Sequence, residues 1–305
     1  MTGYPERMRA YFAEMFPLGR HLLIAAATYL ATAAVARDLH DVETSVWSAY
    51  LLLGVWSYLA VPLMLRLMDE LKDLEIDQLL FAERPLPSGR VKQSDIKTSL
   101  MAVILIYLGA NALHRLTLIA AVVITGYALL MFKRFFAAAA HRDSLPLTLA
   151  THNPIVPLSL CYGFFLFAAE HDLALSGLAW GPVLMFVLML WMPFLAWELS
   201  RKIRAPEEED AYVTYTQLLG ARGAIAVMLL VQAIGIAAAF GLRYALSASW
   251  LLFVMPGIAW IAMFWAARRF LNMPSQRTSR LRPFAEGFLV ATIGSVLLSF
   301  RAQLL

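Results

Sequence analysis

The sequence predicts an all-α integral membrane protein with about nine transmembrane helices. Composition is the first reason, because 61% of the 305 residues are apolar and only 15% are charged, whereas roughly a quarter of the residues in soluble domains are charged. The second reason is that long uncharged stretches recur without the alternation of barrel strands. Helices satisfy their own backbone hydrogen bonds in lipid and are therefore the expected spanning elements.

Nine uncharged stretches are candidates for these helices. Five have the length of about 18 residues or more that crosses a bilayer, and they cover residues 46–65, 144–169, 173–197, 223–242 and 244–267. Four shorter stretches are completed by flanking residues whose charged ends reach the interface, and they cover residues 22–36, 98–113, 116–132 and 287–300.

The Lys and Arg residues predict the orientation, because basic residues are retained on the cytoplasmic side of a membrane. With nine spans, 21 of the 25 Lys and Arg residues fall on the face that also holds the N-terminus. We expect a location such as the bacterial inner membrane, with the N-terminus and the active site on the cytoplasmic side. The net charge of +4 follows from this retention signal, so no nucleic-acid partner is expected.

The segment before the first span is expected to form a short interfacial helix. It carries Glu6, Arg7, Arg9 and Glu14, and it lacks the apolar stretch of a cleavable signal peptide. The single cysteine, Cys161, excludes an intrachain disulfide.

Two polar stretches divide the chain in a repeating pattern. They open where the second and sixth spans end, at Asp69 and at Glu198, 129 residues later. Four spans separate them, so both emerge on the same side of the membrane. We expect one membrane domain over residues 1–305, built from two four-helix repeats and one additional helix, at about 18–136, 144–267 and 284–301.

The first polar stretch, LMDELKDLEIDQLLFAERPLPSGR at residues 67–90, holds a regular series of acidic residues. If the second span continues as a helix, Asp69, Asp73 and Asp77 form one stripe, because each step of four residues turns the helix only about 40° past a full circle. Glu70 flanks this stripe.

Two interpretations of the acidic stripe are open. Carboxylate oxygens suit Mg²⁺, which usually takes one or two protein carboxylates together with water and substrate phosphates. The alternative is a solvated helix end at which Arg66 and Lys72 soften the repulsion between the acids.

The acidic residues resemble the first aspartate-rich motif of the UbiA-type intramembrane prenyltransferases. That motif runs Asn-Asp, Asp and Asp at four-residue spacing. Asp73 and Asp77 match its later aspartates, whereas Asp69 takes the position of the usual Asn and Glu70 that of the usual Asp.

Two basic segments extend the resemblance. The family's motif continues with Arg-Pro-Leu-Pro-Ser-Gly-Arg, which RPLPSGR at residues 84–90 matches throughout. Lys133 and Arg134, at the end of the fourth span, are similar to the family's Lys-Arg pair. The predicted nine spans in two repeats agree with the family's fold.

The resemblance implies an enzyme that binds a prenyl diphosphate through Mg²⁺, ionises its allylic carbon–oxygen bond and transfers the prenyl group to an acceptor in the lipid bilayer. It implies catalytic carboxylates at Asp69, Asp73 and Asp77. The implied metal ligands are Asp69, Glu70, Asp73, Asp77 and Glu198, and the implied diphosphate-binding residues are Arg84, Lys133, Arg134, Arg201, Lys202 and Arg204.

The second aspartate motif of the family is missing from this chain. Glu198 stands for its first aspartate, but Arg201 and Lys202 occupy the place of the next one, and basic side chains do not ligate Mg²⁺. One hypothesis is that a single Mg²⁺ sits on the acidic stripe while Arg201, Lys202 and Arg204 pair with the diphosphate. The alternative is that these three residues are only cytoplasmic retention charges.

His152 and Asn153 are candidates for an acceptor pocket, because polar residues inside a membrane span are often functional. They equally suit a structural role, satisfying backbone groups freed by Pro154 and Pro157.

Three further functions remain open at this stage. The missing second motif favours a non-catalytic binder or carrier of isoprenoid phosphates. A UbiA-type terpene cyclase, which needs no acceptor, and a general transporter are the others. The sequence does not identify the acceptor.

Overall fold

The computed structural model describes residues 3–43, 46–210 and 213–304. These residues form helices joined by loops, with no β-strand among them. The predicted all-α class is therefore confirmed.

Thirteen α-helices occur in the described residues. In chain order they are α1 (Tyr4–Met15), α2 (Leu18–Leu39), α3 (Ala49–Lys72), α4 (Leu74–Leu80), α5 (Gln93–Asn111), α6 (Arg115–Phe132), α7 (Ala138–Asp143), α8 (Leu145–His152), α9 (Ile155–Glu170), α10 (Trp180–Ser200), α11 (Tyr215–Leu246), α12 (Leu251–Asn272) and α13 (Arg282–Ser299). Gly220, with a φ of 67°, interrupts the helical geometry near the start of α11.

Seven segments of the described chain are long and apolar enough to cross a membrane. They are α2, α3, α6, the pair α8 and α9 taken together as Leu145–Glu170, α10, α11 and α12. Helices α5 and α13 cover the two other predicted stretches, but each has two charged residues among its first five positions, and neither is among the seven. The integral membrane class is supported, and the number of nine spans stays a prediction.

Local capping explains where several helices begin. The Glu6 carboxylate accepts a hydrogen bond from the Gly3 backbone N–H at 3.0 Å, and α1 forms the helix predicted before the first span. Ser48 caps α3, because its hydroxyl oxygen accepts from the Tyr50 N–H at 3.2 Å. The same hydroxyl donates to the Glu170 carboxylate at 2.6 Å, which ties the start of α3 to the end of α9.

The chain divides into two compact units. Unit 1 comprises Met1–Tyr29, Trp47–His141 and Phe165–Leu173. Within it, α3 packs against both α5 and α6. Gly54 of α3 allows a close approach to Tyr29, because a Cβ atom at that position would lie 2.2 Å from the tyrosine ring. Unit 1 carries the whole of the first acidic stretch.

Unit 2 comprises Leu30–Val46, Arg142–Phe164 and Ala174–Leu305. Helix α10 packs against α11 and α13, and α12 packs against the same two helices. The core here includes Met192, Leu199, Met228 and Phe270, all buried. Unit 2 carries the residues that replace the second motif. The proposed four-helix repeats stay a prediction.

Candidate active site

The acidic stretch lies where α3 ends and α4 begins. Helix α3 ends at Lys72, Asp73 has non-helical angles (φ −105°, ψ 9°), and α4 starts at the next residue. The expectation of one uninterrupted helix is therefore wrong at Asp73, a residue type that favours helix ends because its side chain makes other polar contacts. The Asp73 N–H still donates to the Asp69 carbonyl, and the Asp77 N–H to the Asp73 carbonyl, each at 2.9 Å. The four-residue spacing is thus preserved across the break.

Two acids of this stretch pair with bases on α3 itself. Lys72 Nζ lies 2.7 Å from Asp69 Oδ1, three residues earlier. Arg66 donates through Nη2 to Glu70 Oε1, four residues later. Both pairs join residues on one face of the helix, as three- and four-residue spacings allow.

The other two acids pair with bases outside α3. Arg84 donates to both carboxylate oxygens of Asp77 at 2.9 Å, and its guanidinium also lies over the ring of Phe81 at 3.8 Å. Arg134 Nη2 lies 2.9 Å from Asp73 Oδ1. Each of the four acids (Asp69, Glu70, Asp73 and Asp77, hereafter the acidic set) thus has a cationic partner. The partners, Arg66, Lys72, Arg84 and Arg134, are the basic set.

A strained turn presents Arg134 to Asp73. Arg134, Phe135 and Phe136 all have positive φ angles, of 49°, 50° and 58°, and each non-glycine residue in this region costs roughly 1–2 kcal/mol. The Phe135 ring packs edge-on against Tyr127 at 5.6 Å and stacks on His141 at 5.7 Å, and these contacts hold the turn. Backbone strain of this kind is concentrated at functional sites.

The RPLPSGR loop places Arg84 at one end and Arg90 at the other. Gly89 has a φ of 77°, a conformation that favours glycine. Arg90 donates to both carboxylate oxygens of Glu14 in α1, at 2.8 and 3.1 Å, and to the Glu83 carbonyl at 2.6 Å. The loop is therefore bound to α1 through Arg90 at one end and to Asp77 through Arg84 at the other.

Glu70 is the most buried member of the acidic set, with a side chain only 1% exposed. Its Oε2 atom has no hydrogen-bond partner among the described residues, and the fully buried Tyr11 of α1 interacts with both Glu70 and Arg66. Burial and then the Glu70 carboxylate raise the pKa of Tyr11, whereas Arg66 lowers it. The Tyr11 hydroxyl therefore belongs to the surroundings of the Arg66–Glu70 pair.

Burial also raises the pKa of the Asp73 carboxyl, while Lys72 and Arg134 act in the opposite direction.

The predicted diphosphate ligand Lys133 is exposed and lies over the Phe132 ring at 5.4 Å. Among the side chains that the structure describes, no carboxylate lies within ion-pair distance of Lys133. Two open apolar grooves on the surface lie elsewhere, one beside α1 and one between α11 and α12.

The acidic set fits Mg²⁺ in chemistry but is not gathered around one point. Four carboxylates lie within nine residues, and Glu70 adds a buried oxygen without a partner; hard oxygen ligands are what Mg²⁺ requires. However, no group of three or more His, Cys, Asp or Glu side chains in the described ranges is placed to hold a metal ion. The ion pairs with the basic set account for this, because each carboxylate is turned towards a different cation.

In unit 2, the basic residues that replace the second motif also have acidic partners. Glu198 lies 3.0 Å from Arg201 and 3.6 Å from Lys202, and Arg201 also lies over the Trp197 ring at 4.8 Å. Arg204 Nη1 lies 2.9 Å from Asp210. Glu198 is thus the acidic member of a local charge cluster, and its role as a metal ligand stays a prediction.

The proposed acceptor residues lie at the break between α8 and α9. Helix α8 ends at His152, whose Nδ1 lies 3.1 Å from the Thr151 hydroxyl. Asn153 Oδ1 accepts a hydrogen bond from the Trp191 indole N–H of α10, and its backbone carbonyl accepts from the Val156 N–H at 3.1 Å. These contacts give Asn153 a structural function at the break, and the acceptor role stays a prediction.

Sequence reasoning gave no site role to Tyr11, and it treated Arg66 and Lys72 only as charges that soften repulsion. The spacing of Arg66 to Glu70 and of Lys72 to Asp69 could have indicated both pairs. No local signal indicates Tyr11, because it lies on another helix, 59 residues from Glu70 in sequence.

No protein-family model matches the sequence, and no curated protein matches it. Two solved structures are similar over nearly the whole chain. One is of a digeranylgeranylglyceryl phosphate synthase, at 15% identity and a TM-score of 0.65, covering 97% of this chain and 99% of the other. The second is the apo structure of a UbiA homologue from Aeropyrum pernix K1, at 16% identity and a TM-score of 0.64, covering 92% of this chain and 97% of the other.

The chain has the UbiA-type fold. The likeness predicted from the acidic motif and from RPLPSGR is thereby confirmed for the fold. At 15 and 16% identity the comparison establishes the fold, and the activity has to be argued from the residues. The chain has the acidic set in unit 1 and Glu198 beside basic residues in unit 2.

Proposed function

We propose that this protein transfers a prenyl group from an isoprenoid diphosphate to an acceptor within the membrane. The observation that carries the proposal is the acidic set with its four cationic partners, located at the end of a membrane-length helix in a chain with the UbiA-type fold. The two similar solved structures are of a digeranylgeranylglyceryl phosphate synthase and of a UbiA homologue, which supports the same class of reaction. The expected side of the membrane is the cytoplasmic one.

In the proposed reaction, the bond between the first prenyl carbon and the bridging oxygen breaks, and its electron pair leaves with the diphosphate. A lone pair of the acceptor forms the new bond to that carbon, and the acceptor's proton passes to water. Arg84, Arg134 and Lys133 would stabilise the departing negative charge, because guanidinium and ammonium groups bind phosphate oxygens strongly. Apolar helices would exclude water from the cationic prenyl carbon.

Mg²⁺ is part of the proposal as a cofactor held by Asp69, Glu70, Asp73 and Asp77. When bound, it would supply positive charge to the diphosphate oxygens. The chemistry of the carboxylates supports this role, and their present ion pairs mean that the basic set has to be displaced first.

A second candidate function is a non-catalytic carrier of isoprenoid phosphates. The pairing of Glu198 with Arg201 and Lys202 favours it, because the chain offers a basic cluster where the family has its second acidic motif. Such a protein would bind the donor without cleaving it.

Pyrophosphate release from a labelled prenyl diphosphate tests the proposal. The purified chain is incubated with donor, with and without Mg²⁺, in the presence of a lipid extract as the source of acceptor. Asp73→Asn is compared with Glu75→Gln, a matched control because Glu75 lies in the same stretch, is exposed and is outside the acidic set. We expect loss of release in the first variant and little change in the second.

Each other outcome points to a different conclusion. Equal release by the two variants would reject the acidic set as the catalytic site. Donor binding without any cleavage would favour the carrier. Release without extract, together with a cyclic hydrocarbon product, would identify a terpene cyclase.

A further inference from the structure

Each carboxylate of the acidic set is neutralised by one cation of the basic set. Four carboxylates have four cations, in two pairs within α3 and in two pairs that reach α3 and α4 from the RPLPSGR loop and from the strained turn at Arg134. The total charge of the eight groups is therefore zero before any ligand binds. This arrangement is stable by itself and disfavours a divalent cation, which would add two positive charges beside four existing ones.

The basic side chains are able to change partners. Arg66, Arg84 and Arg134 are 29, 29 and 25% exposed, and each guanidinium has five N–H donors, of which the carboxylate uses one or two. Lys72 has three donors on a flexible stem, and its partner Asp69 is 49% exposed. A diphosphate would offer these cations strong acceptors in place of the carboxylates.

We propose that the basic set passes from the carboxylates to the diphosphate when the metal ion binds, which makes Arg66 and Lys72 additional diphosphate-binding residues. This inference rests on the proposed function, since it assumes that the acidic set takes the metal and that the diphosphate is the ligand. The metal and the diphosphate then bind interdependently. The metal alone finds the carboxylates paired with the basic set, and the diphosphate alone finds the basic set paired with the carboxylates. When both bind, every charge has a partner.

The buried surroundings of Glu70 support this exchange. Glu70 Oε2 is a buried polar atom without a hydrogen-bond partner among the described residues. Buried groups of this kind usually have a partner. A metal ion taken up by Glu70 would satisfy its oxygen, and a phosphate oxygen would satisfy the freed guanidinium of Arg66.

Two binding measurements on the purified chain test the proposal. Electron paramagnetic resonance measures Mn²⁺ binding in the absence of pyrophosphate, and filter binding measures labelled pyrophosphate at a fixed free Mg²⁺ concentration. Lys72→Gln is expected to increase Mn²⁺ affinity about threefold or more, because Asp69 is freed, and to decrease pyrophosphate affinity about tenfold, within the usual range of coupling between two sites. Arg66→Gln is expected to act in the same two directions through Glu70.

Two matched variants complete the experiment. Arg282→Gln breaks an intrahelical pair of the same kind, with Glu286 at 2.9 Å, and should change neither affinity more than twofold. Lys72→Arg retains the positive charge and should restore both values. Thermal unfolding of each variant excludes loss of fold, and a misfolded Lys72→Gln chain leaves Arg66→Gln as the deciding variant.

Opposite changes in the two affinities support the exchange. A parallel decrease in both, no change in either, or a wild-type chain that binds neither probe would overturn it. These readouts require no turnover, so they are separate from the test of the proposed function. If the chain transfers prenyl groups but the two affinities do not change in opposite directions, only this inference is wrong. If the affinities change in opposite directions but no donor is cleaved, only the proposed reaction is wrong.

Discussion

The close approach of α3 to Tyr29 predicts an unusual cost for a small substitution, Gly54→Ala. A Cβ atom at residue 54 would lie 2.2 Å from two carbons of the Tyr29 ring, whereas carbon atoms normally approach to about 3.5–4.0 Å. Tyr29 is only 3% exposed and packs edge-on against Tyr58 at 5.7 Å. Its ring therefore has little room to move.

The expected magnitude follows from two opposing effects. Replacing glycine by alanine inside a helix stabilises the helix by about 0.5–1 kcal/mol, whereas overpacking a filled core costs about 1–3 kcal/mol. We expect a net loss of about 1–2 kcal/mol in the free energy of unfolding. Because α3 carries the acidic set at its end, we also expect weaker pyrophosphate binding.

Gly126→Ala in α6 is the matched control, because nothing lies within 4 Å of a Cβ atom there. It should stabilise the chain by about 0.5–1 kcal/mol, the helical effect alone. Unfolding in mixed detergent micelles, followed by tryptophan fluorescence, measures both variants. A second substitution, Tyr29→Ala, should remove most of the added cost of Gly54→Ala, as a double-mutant cycle would show. If both glycine variants change stability equally, or if the cycle is additive, the steric argument is wrong.

Three further predictions concern other parts of the chain. The Arg7 guanidinium holds the pKa of Asp95, in the first turn of α5, at about 2, below the ordinary value of about 3.9. The ion pair therefore makes its full contribution to the free energy of unfolding above about pH 4. This contribution is lost as the pH falls from about 4 to about 2. A comparison of acid unfolding curves should show this component in the wild type and not in Asp95→Asn. Asn153→Leu should lower the free energy of unfolding by about 1–2 kcal/mol, because the Trp191 indole N–H loses its acceptor; an unchanged thermal midpoint would contradict this. Arg201→Glu should weaken pyrophosphate binding more than Mn²⁺ binding, and equal loss of both, or no loss, would reject a direct diphosphate role for Arg201.

Much of the fold could be predicted because its signals are local. A long uncharged stretch has to form a helix in lipid whatever surrounds it, and the predicted helices over residues 46–65 and 173–197 correspond to α3 and α10. The short helix before the first span could be predicted from its mixture of charged and apolar residues, which suits a helix at the membrane interface. The number of spans could not be fixed in this way, because α5 and α13 combine charged ends with apolar centres.

The candidate site could be predicted only in part. The spacing of the acids and the identity of RPLPSGR are visible in the sequence, and both predict the UbiA-type fold that the structure has. The break of α3 at Asp73 was missed, because the helical periodicity of the sequence continues through it, and the partner of Asp73 in the structure, Arg134, is 61 residues away.

The sequence by itself determined the membrane class, the positions of the long helices and the supply of carboxylates and basic residues, because each depends on the composition of a short continuous segment. Only the tertiary structure decided which charges meet. Arg134 reaches Asp73 across 61 residues of sequence, and three consecutive left-handed residues place it there. Such a contact forms because packing brings distant segments together, and the sequence of one segment does not indicate which other segment it will contact.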